Sequence, residues 1–442
     1  MMKDRLKKEI FEKIVEYYKS VHKPEQEKEF IPGQSRVNYA GRIFDEHEMI
    51  NLIESGLDFW LTFGKYAKEF EAKLADFLGV RYVLSVNSGS SANLLAFFAL
   101  TSPLLKDRQI QRGDEVITVA AGFPTTVAPI VQFGAIPVFV DMELDTFNID
   151  PNEIEKAVSP KTKAIMIAHT LGNPFDIERV KNICDKYNLW LIEDNCDALG
   201  SRYKGKYTGT WGDIGTSSFY PPHHITMGEG GAVYTNDPLL KKIMLSLRDW
   251  GRDCWCESGV DNTCGHRFSQ QFGSLPKGYD HKYVYSHFGF NLKITDMQAA
   301  IGVAQLDKLP YFIKKREKNW QKLYEGLKNI DKFVLVTPQR DSDVSWFGFL
   351  ITLKDNVGFN RNELVKYLEE HNIQTRNLFA GNMIRHPMFE SLEKGKDYKI
   401  IGDLKNTDKI MRDSFWLGVY PGIKDEAIEY MIEKIQEFVK NH

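Results

Sequence analysis

From about residue 67 onward the chain alternates helical patterns with short apolar strands, and this alternation constrains the fold more than any other feature. The strand-like runs are Tyr82–Val86, Glu115–Val119, Val138–Asp141, Ala164–Ala168, Leu189–Glu193, Gly215–Phe219 and Ala232–Thr235, with helical patterns such as Ile177–Tyr187 between them. Strands separated by helices argue for a largely parallel sheet covered on both faces, an α/β architecture. In such sheets ligands sit beyond the carboxyl ends of the strands, so those loops are where chemistry is expected. Residues 296 to 330 read as one or two long helices. After them, strands at Val334–Val336, Trp346–Thr352 and Ile373–Arg376 and helices at Arg361–His371 and Asp425–Lys440 make a smaller α+β unit.

At 442 residues the chain exceeds one ordinary core. The expected division is an N-terminal helical arm over 1–40, a large α/β domain over 41–300 and a small C-terminal domain over 301–442. In the arm, Leu6, Ile10, Ile14 and Tyr18 recur every four residues, the spacing of an amphipathic helix packed on the body or on a partner subunit. A net charge of -3 gives no sign of a nucleic-acid partner. No apolar run reaches the length of a membrane span, and the N-terminus has no apolar signal segment, so a cytoplasmic protein is expected.

Several strand-end loops carry residues suited to a phosphorylated pyridine. Asn87–Asn93 (N-S-G-S-S-A-N) opens a helix with small residues whose amides can face an anion. Phe123, in A-A-G-F-P-T-T, can stack on a flat ligand. Asp194 ends an apolar strand, where a carboxylate can pair with a protonated ring nitrogen. Ser217 and Ser218 open the stretch S-S-F-Y-P-P-H-H-I-T-M-G-E-G-G, whose two prolines make a rigid corner holding His223 and His224. An imidazole held there is suited to moving protons near neutral pH.

With these parts in place, the chain resembles the sugar aminotransferases of the DegT/DnrJ/StrS family, of aspartate aminotransferase fold (fold type I). The resemblance runs from about residue 35 to the end, through G-D-E-V-I (113–117), G-A-I-P-V-F-V-D (134–141), D-T-F-N-I-D (145–150), I-E-D (192–194), G-E-G-G (228–231) and F-N-L-K-I-T-D-M-Q-A-A-I-G (290–302). It implies a mostly parallel central sheet with a smaller C-terminal α+β domain, and a cofactor phosphate held by Ser90, Ser91 and Ser218. It further implies Phe123 stacked on the pyridine and Asp194 on its nitrogen. Asn291 would reach the phosphate of a neighbouring subunit in a homodimer. Two positions depart from the family. His223 stands where its Schiff-base lysine is expected, with no lysine between Lys206 and Lys241, and Asp197 replaces the usual Gln or His beside the cofactor's phenolic oxygen. Histidine cannot carry the cofactor covalently, so noncovalent pyridoxamine phosphate (PMP, the amino form of PLP) is implied. His223 would then be a general base for dehydration in place of transamination.

Of five cysteines, only Cys184 sits in a clearly apolar run. On ligand type alone, four thiolates suit a structural zinc or an iron–sulfur centre equally well. The spacing of Cys196, Cys254, Cys256 and Cys264 (C-x57-C-x-C-x7-C) is similar to that of the iron–sulfur sugar 3-dehydrases within the family. That resemblance implies a [2Fe–2S] cluster fed by an NAD(P)H-dependent flavin and iron–sulfur reductase. The implied reaction is C3 deoxygenation of a CDP-linked 4-keto-6-deoxyhexose for 3,6-dideoxysugars of lipopolysaccharide. Tyr220 is a candidate proton guide, His224 is expected to point outward, and Arg376 is a candidate contact to the substrate diphosphate. The rival readings are an iron-free dehydratase, an aminotransferase, a non-catalytic cofactor-binding sensor and a zinc-stabilised structural partner.

Overall fold

The computed structural model describes residues 2–257 and 259–442. Its centre is an eight-stranded sheet in the order Tyr82–Val86, Gly231–Thr235, Ile214–Ser218, Trp190–Asp194, Thr162–Ala168, Glu115–Val119, Ile136–Val140, Lys399–Ile400. Only Gly231–Thr235 runs against the others. The parallel strands are buried along most of their length, which is why they read in sequence as short continuous apolar runs. The α/β expectation therefore holds, with strand limits within two residues of those read from the sequence.

One face of this sheet packs Ile192, Val116 and Met166 against the helices Gly89–Ala99 and Pro238–Arg248. The other face carries Ile117, Ile165 and Leu191. These share one continuous core with Phe349, Ile351, Phe415 and Leu417 of a second, four-stranded antiparallel sheet. Residues 296 to 327 form a single helix despite Pro310. It starts at a Thr295–Gln298 capping box and buries Trp320, which stacks on Trp346 at 4.1 Å. The expected boundary between residues 300 and 301 falls inside this helix, and Lys399–Ile400 crosses back to extend the large sheet.

The arm is helical over Met2–Tyr17 and continues through a π-helical segment, Tyr18–His22. Of its periodic apolar residues only Tyr18 is buried, against Phe44, while Leu6 and Ile10 are exposed. Among the described residues no helix is long and apolar enough to cross a membrane.

Candidate functional site

The carboxyl ends of the parallel strands open into a cavity of about 680 Å³. Ser88, Gly89, Ser90, Phe123, Asp194, Cys196, Asp197, Ser218, Tyr220, His223, Phe347 and Arg376 all line it.

The end of the cavity at Ser88–Ser90 is built by close approach of backbone. Ser88 caps the Gly89–Ala99 helix by accepting from the Ser91 N–H. A Cβ on Gly89 would lie 2.3 Å from Ser218 Cβ, so only glycine lets the helix start meet the Ile214–Ser218 strand end. Ser90 and Ser218 face the cavity as read from the sequence. Ser91 does not line it, because its hydroxyl turns to Ser88 at 3.0 Å. Asn291 is exposed and lies outside the lining of its own chain's cavity.

Alternation along Trp190–Asp194 separates its two terminal acids. Glu193 turns away and accepts from the N–H groups of Gly209, Trp211 and Gly212. Asp194 points to the cavity side, where its Oδ2 accepts from Asn93 Nδ2 and Thr126 Oγ1, each at 2.7 Å, and its Oδ1 from the Cys196 N–H. Asn93 is held in turn by Thr216 Oγ1. A carboxylate tied from three sides is pre-set to face a cationic ring nitrogen. Sequence reasoning missed Ser88, Asn93 and Thr126 as supports, although all three lie within or next to the small-residue loops it singled out. Phe123 stands half-exposed at the cavity wall, edge-on to Phe379 at 5.8 Å.

His223 sits on the rigid corner and reaches the opposite side of the cavity. Its Nδ1 lies 2.7 Å from the Cys196 carbonyl, which can only accept. The proton is therefore on Nδ1, and Nε2 keeps its lone pair. The ring stacks on Phe347 at 5.1 Å, with Tyr220 6.2 Å away. Burial holds the imidazole down to about 4, well below its ordinary 6.5, so it is neutral across the physiological range. Asp197 lies 3.9 Å from His223 Nδ1. Burial and the nearby Asp194 push its carboxyl well above the usual range.

His224 contradicts its expected outward pose. It is 2% exposed and bonds the Ser345 carbonyl through Nε2 at 2.9 Å. Successive residues on this tight corner turn to different walls of the core, and both walls are occupied. Arg376 reaches the cavity rim with its guanidinium 3.9 Å above the Tyr39 ring.

The four-cysteine set is not assembled in this chain. Cys196 lines the cofactor-side cavity, with its thiol buried against Asp194. Cys254 and Cys256 line a separate cavity beside Lys68, Tyr82 and Lys241. There the Cys256 N–H donates to Cys254 Sγ at 3.4 Å and the Thr263 N–H to Cys256 Sγ at 3.3 Å. Cys264 Sγ lies 3.6 Å from His281 Nδ1. Among the described residues no three His, Cys, Asp or Glu side chains are grouped so as to hold a metal ion. The fifth cysteine, Cys184, is core, its thiol pushed up to about 12 by burial.

A mostly parallel sheet of this order, with a small-residue helix start, an anchored carboxylate and an aromatic wall at its strand ends, is that of a fold type I cofactor enzyme. Residues 44–436 match the DegT/DnrJ/EryC1/StrS aminotransferase family, and the chain belongs to it. It is 55% identical to the lipopolysaccharide biosynthesis protein RfbH of Salmonella typhimurium, over 99% of each chain. It is 50% identical to a dTDP-4-dehydro-2,6-dideoxy-D-glucose 3-dehydratase of Saccharopolyspora spinosa, over 97% of this chain and 92% of that one. Among solved structures it is similar to an E. coli GDP-4-keto-6-deoxy-D-mannose-3-dehydratase with bound hydrated PLP. That match has a TM-score of 0.81 at 29% identity and covers 91% of this chain and 100% of that one.

Proposed function

We propose that this protein is a PMP-dependent enzyme that removes the C3 hydroxyl of a nucleotide-linked 4-keto-6-deoxyhexose, with a CDP-sugar as substrate. One observation carries the reading: a neutral imidazole, His223, faces the cofactor cavity where the family's lysine is expected. When bound, PMP supplies an amine for the sugar's keto group and a ring that accepts electrons. The cavity's residues fit it: Ser88–Ser90 and Ser218 would hold the phosphate, Asp194 would face the ring nitrogen, and Phe123 would flank the ring. Oriented through the Cys196 carbonyl, His223 Nε2 takes a proton, and the Tyr220 ring stands edge-on to it at 6.2 Å between centroids. Phe347 and Trp416 wall this side of the cavity and limit water there. Arg376, on the rim, supplies a cation for the substrate diphosphate. The 3-dehydratase relatives act, by their names, on dTDP- and GDP-linked sugars, which supports the reaction class more than the nucleotide.

The electron-relay half of the reading places a [2Fe–2S] cluster on Cys196, Cys254, Cys256 and Cys264, fed by an NAD(P)H-dependent reductase. Cys254, Cys256 and Cys264 lie near one another while Cys196 lines the cofactor cavity, so the four thiols are not grouped as a cluster site among the described residues. Metal content decides this part. Anaerobically purified protein with about two irons per chain supports the cluster, and one tightly bound zinc with no iron removes it.

The substrate reading is tested by offering PMP-loaded protein the CDP-, dTDP- and GDP-linked 4-keto-6-deoxyhexoses. Loss of the C3 hydroxyl as water, fastest on the CDP-sugar, is expected. Formation of a 4-amino sugar in its place would restore the aminotransferase alternative.

A further inference from the structure

We infer that Arg316 is the positioning residue of the His223 base: from the long helix it ties the His223 corner to the chain segment carrying Phe347. This inference rests on the reading of His223 as the base.

Pro222 has no N–H to donate, as is true of Pro221, so the corner has few internal hydrogen bonds; the described one runs from the His223 N–H to the Tyr220 carbonyl. Its outward carbonyls are taken up by Arg316. One Nη donates to Pro222 O at 3.3 Å and His223 O at 3.0 Å, and the other to Trp346 O at 3.2 Å and Phe347 O at 3.3 Å. The guanidinium is 1% exposed and bridges two segments more than a hundred residues apart in sequence. Phe347 is the ring on which His223 stacks, so one planar fork sets both the backbone beneath the base and the wall beside it. A lysine could not span four carbonyls in this way.

Arg316 is also a buried cation whose hydrogen bonds all go to carbonyls, with the nearby Asp197 favouring its charged form. Burial pushes it down to about 9, still charged at neutral pH. Of the groups facing His223, Asp194, Asp197 and the Cys196 thiol come from the end of the Trp190–Asp194 strand. Tyr220 and His224 share its own corner, and Arg316 comes from beneath.

The test compares Arg316→Gln, which keeps donors without charge, and Arg316→Lys, which keeps charge without the fork. Both are expected to lower kcat for C3 hydroxyl loss by roughly ten- to a hundredfold through misplacement of the base, with KM and PMP binding within about threefold. Folded variants with wild-type kcat would overturn the inference. Should either variant not fold, Phe347→Leu is measured, since it removes the ring that the fork sets beside His223. A fall in kcat with KM unchanged supports the assignment, and wild-type kcat overturns it. If His223→Asn still turns over, the base reading itself fails. If His223→Asn is inactive while both Arg316 variants behave as wild type, only the Arg316 inference falls.

Discussion

His223 is organised for proton transfer by what it touches: a carbonyl fixes its tautomer, a ring fixes its plane and burial keeps it neutral. The depressed value has a defined sign. An unfolded chain takes up a proton at this residue below its ordinary 6.5, whereas the folded one holds out to about 4. Folding stability attached to His223 is therefore intact above pH 6.5 and declines as pH falls toward 4, by up to about 3 kcal/mol. Thermal unfolding of wild type against His223→Asn is expected to show the wild type losing more stability between pH 7 and pH 4.5. Over pH 7 to 5, kcat/KM is expected to show no acid limb from His223. Asp194 gives a second test at this scale. Removing the charge in Asp194→Asn is expected to weaken PMP binding by about 2 kcal/mol, roughly thirtyfold, read by absorbance titration. The residue types on which this chemistry depends were legible in sequence because each ends or follows a strand. Asn93, Thr126 and Arg316 were not, since their roles exist only through partners 30 to 101 residues away in the sequence.

At the level of elements, the anion cup depends on a helix start touching a strand end. Gly89→Ala is expected to cost about 1–3 kcal/mol of stability by forcing Ser218 aside. It is also expected to weaken binding of inorganic phosphate and PMP together. Unchanged phosphate binding in a folded Gly89→Ala protein would place the anion elsewhere. Strand and helix limits were readable to within a few residues because buried parallel strands and amphipathic helices leave distinct periods. The two-residue Lys399–Ile400 strand has no period to read, and its place at the sheet edge comes from a register with Val138 and Phe139. His224 was misread for a related reason: on a corner without a regular period, side-chain direction is set by tertiary partners, here Ser345.

Across the whole molecule, the large sheet and the C-terminal sheet share one core, and the long helix supplies both its packing and the guanidinium under the active corner. Truncating the stacked, 3%-exposed Trp320 to alanine is expected to cost about 3–5 kcal/mol and to lower kcat as well, because the same helix carries Arg316. Chemistry at C3 is read most directly from a substrate carrying labelled oxygen in its C3 hydroxyl, incubated with PMP-loaded protein. Release of the label into water is expected with the wild-type chain, and a fall of a hundred- to ten-thousandfold with His223→Asn while PMP stays bound. Label release at the wild-type rate from His223→Asn would contradict the assignment of His223 as the base.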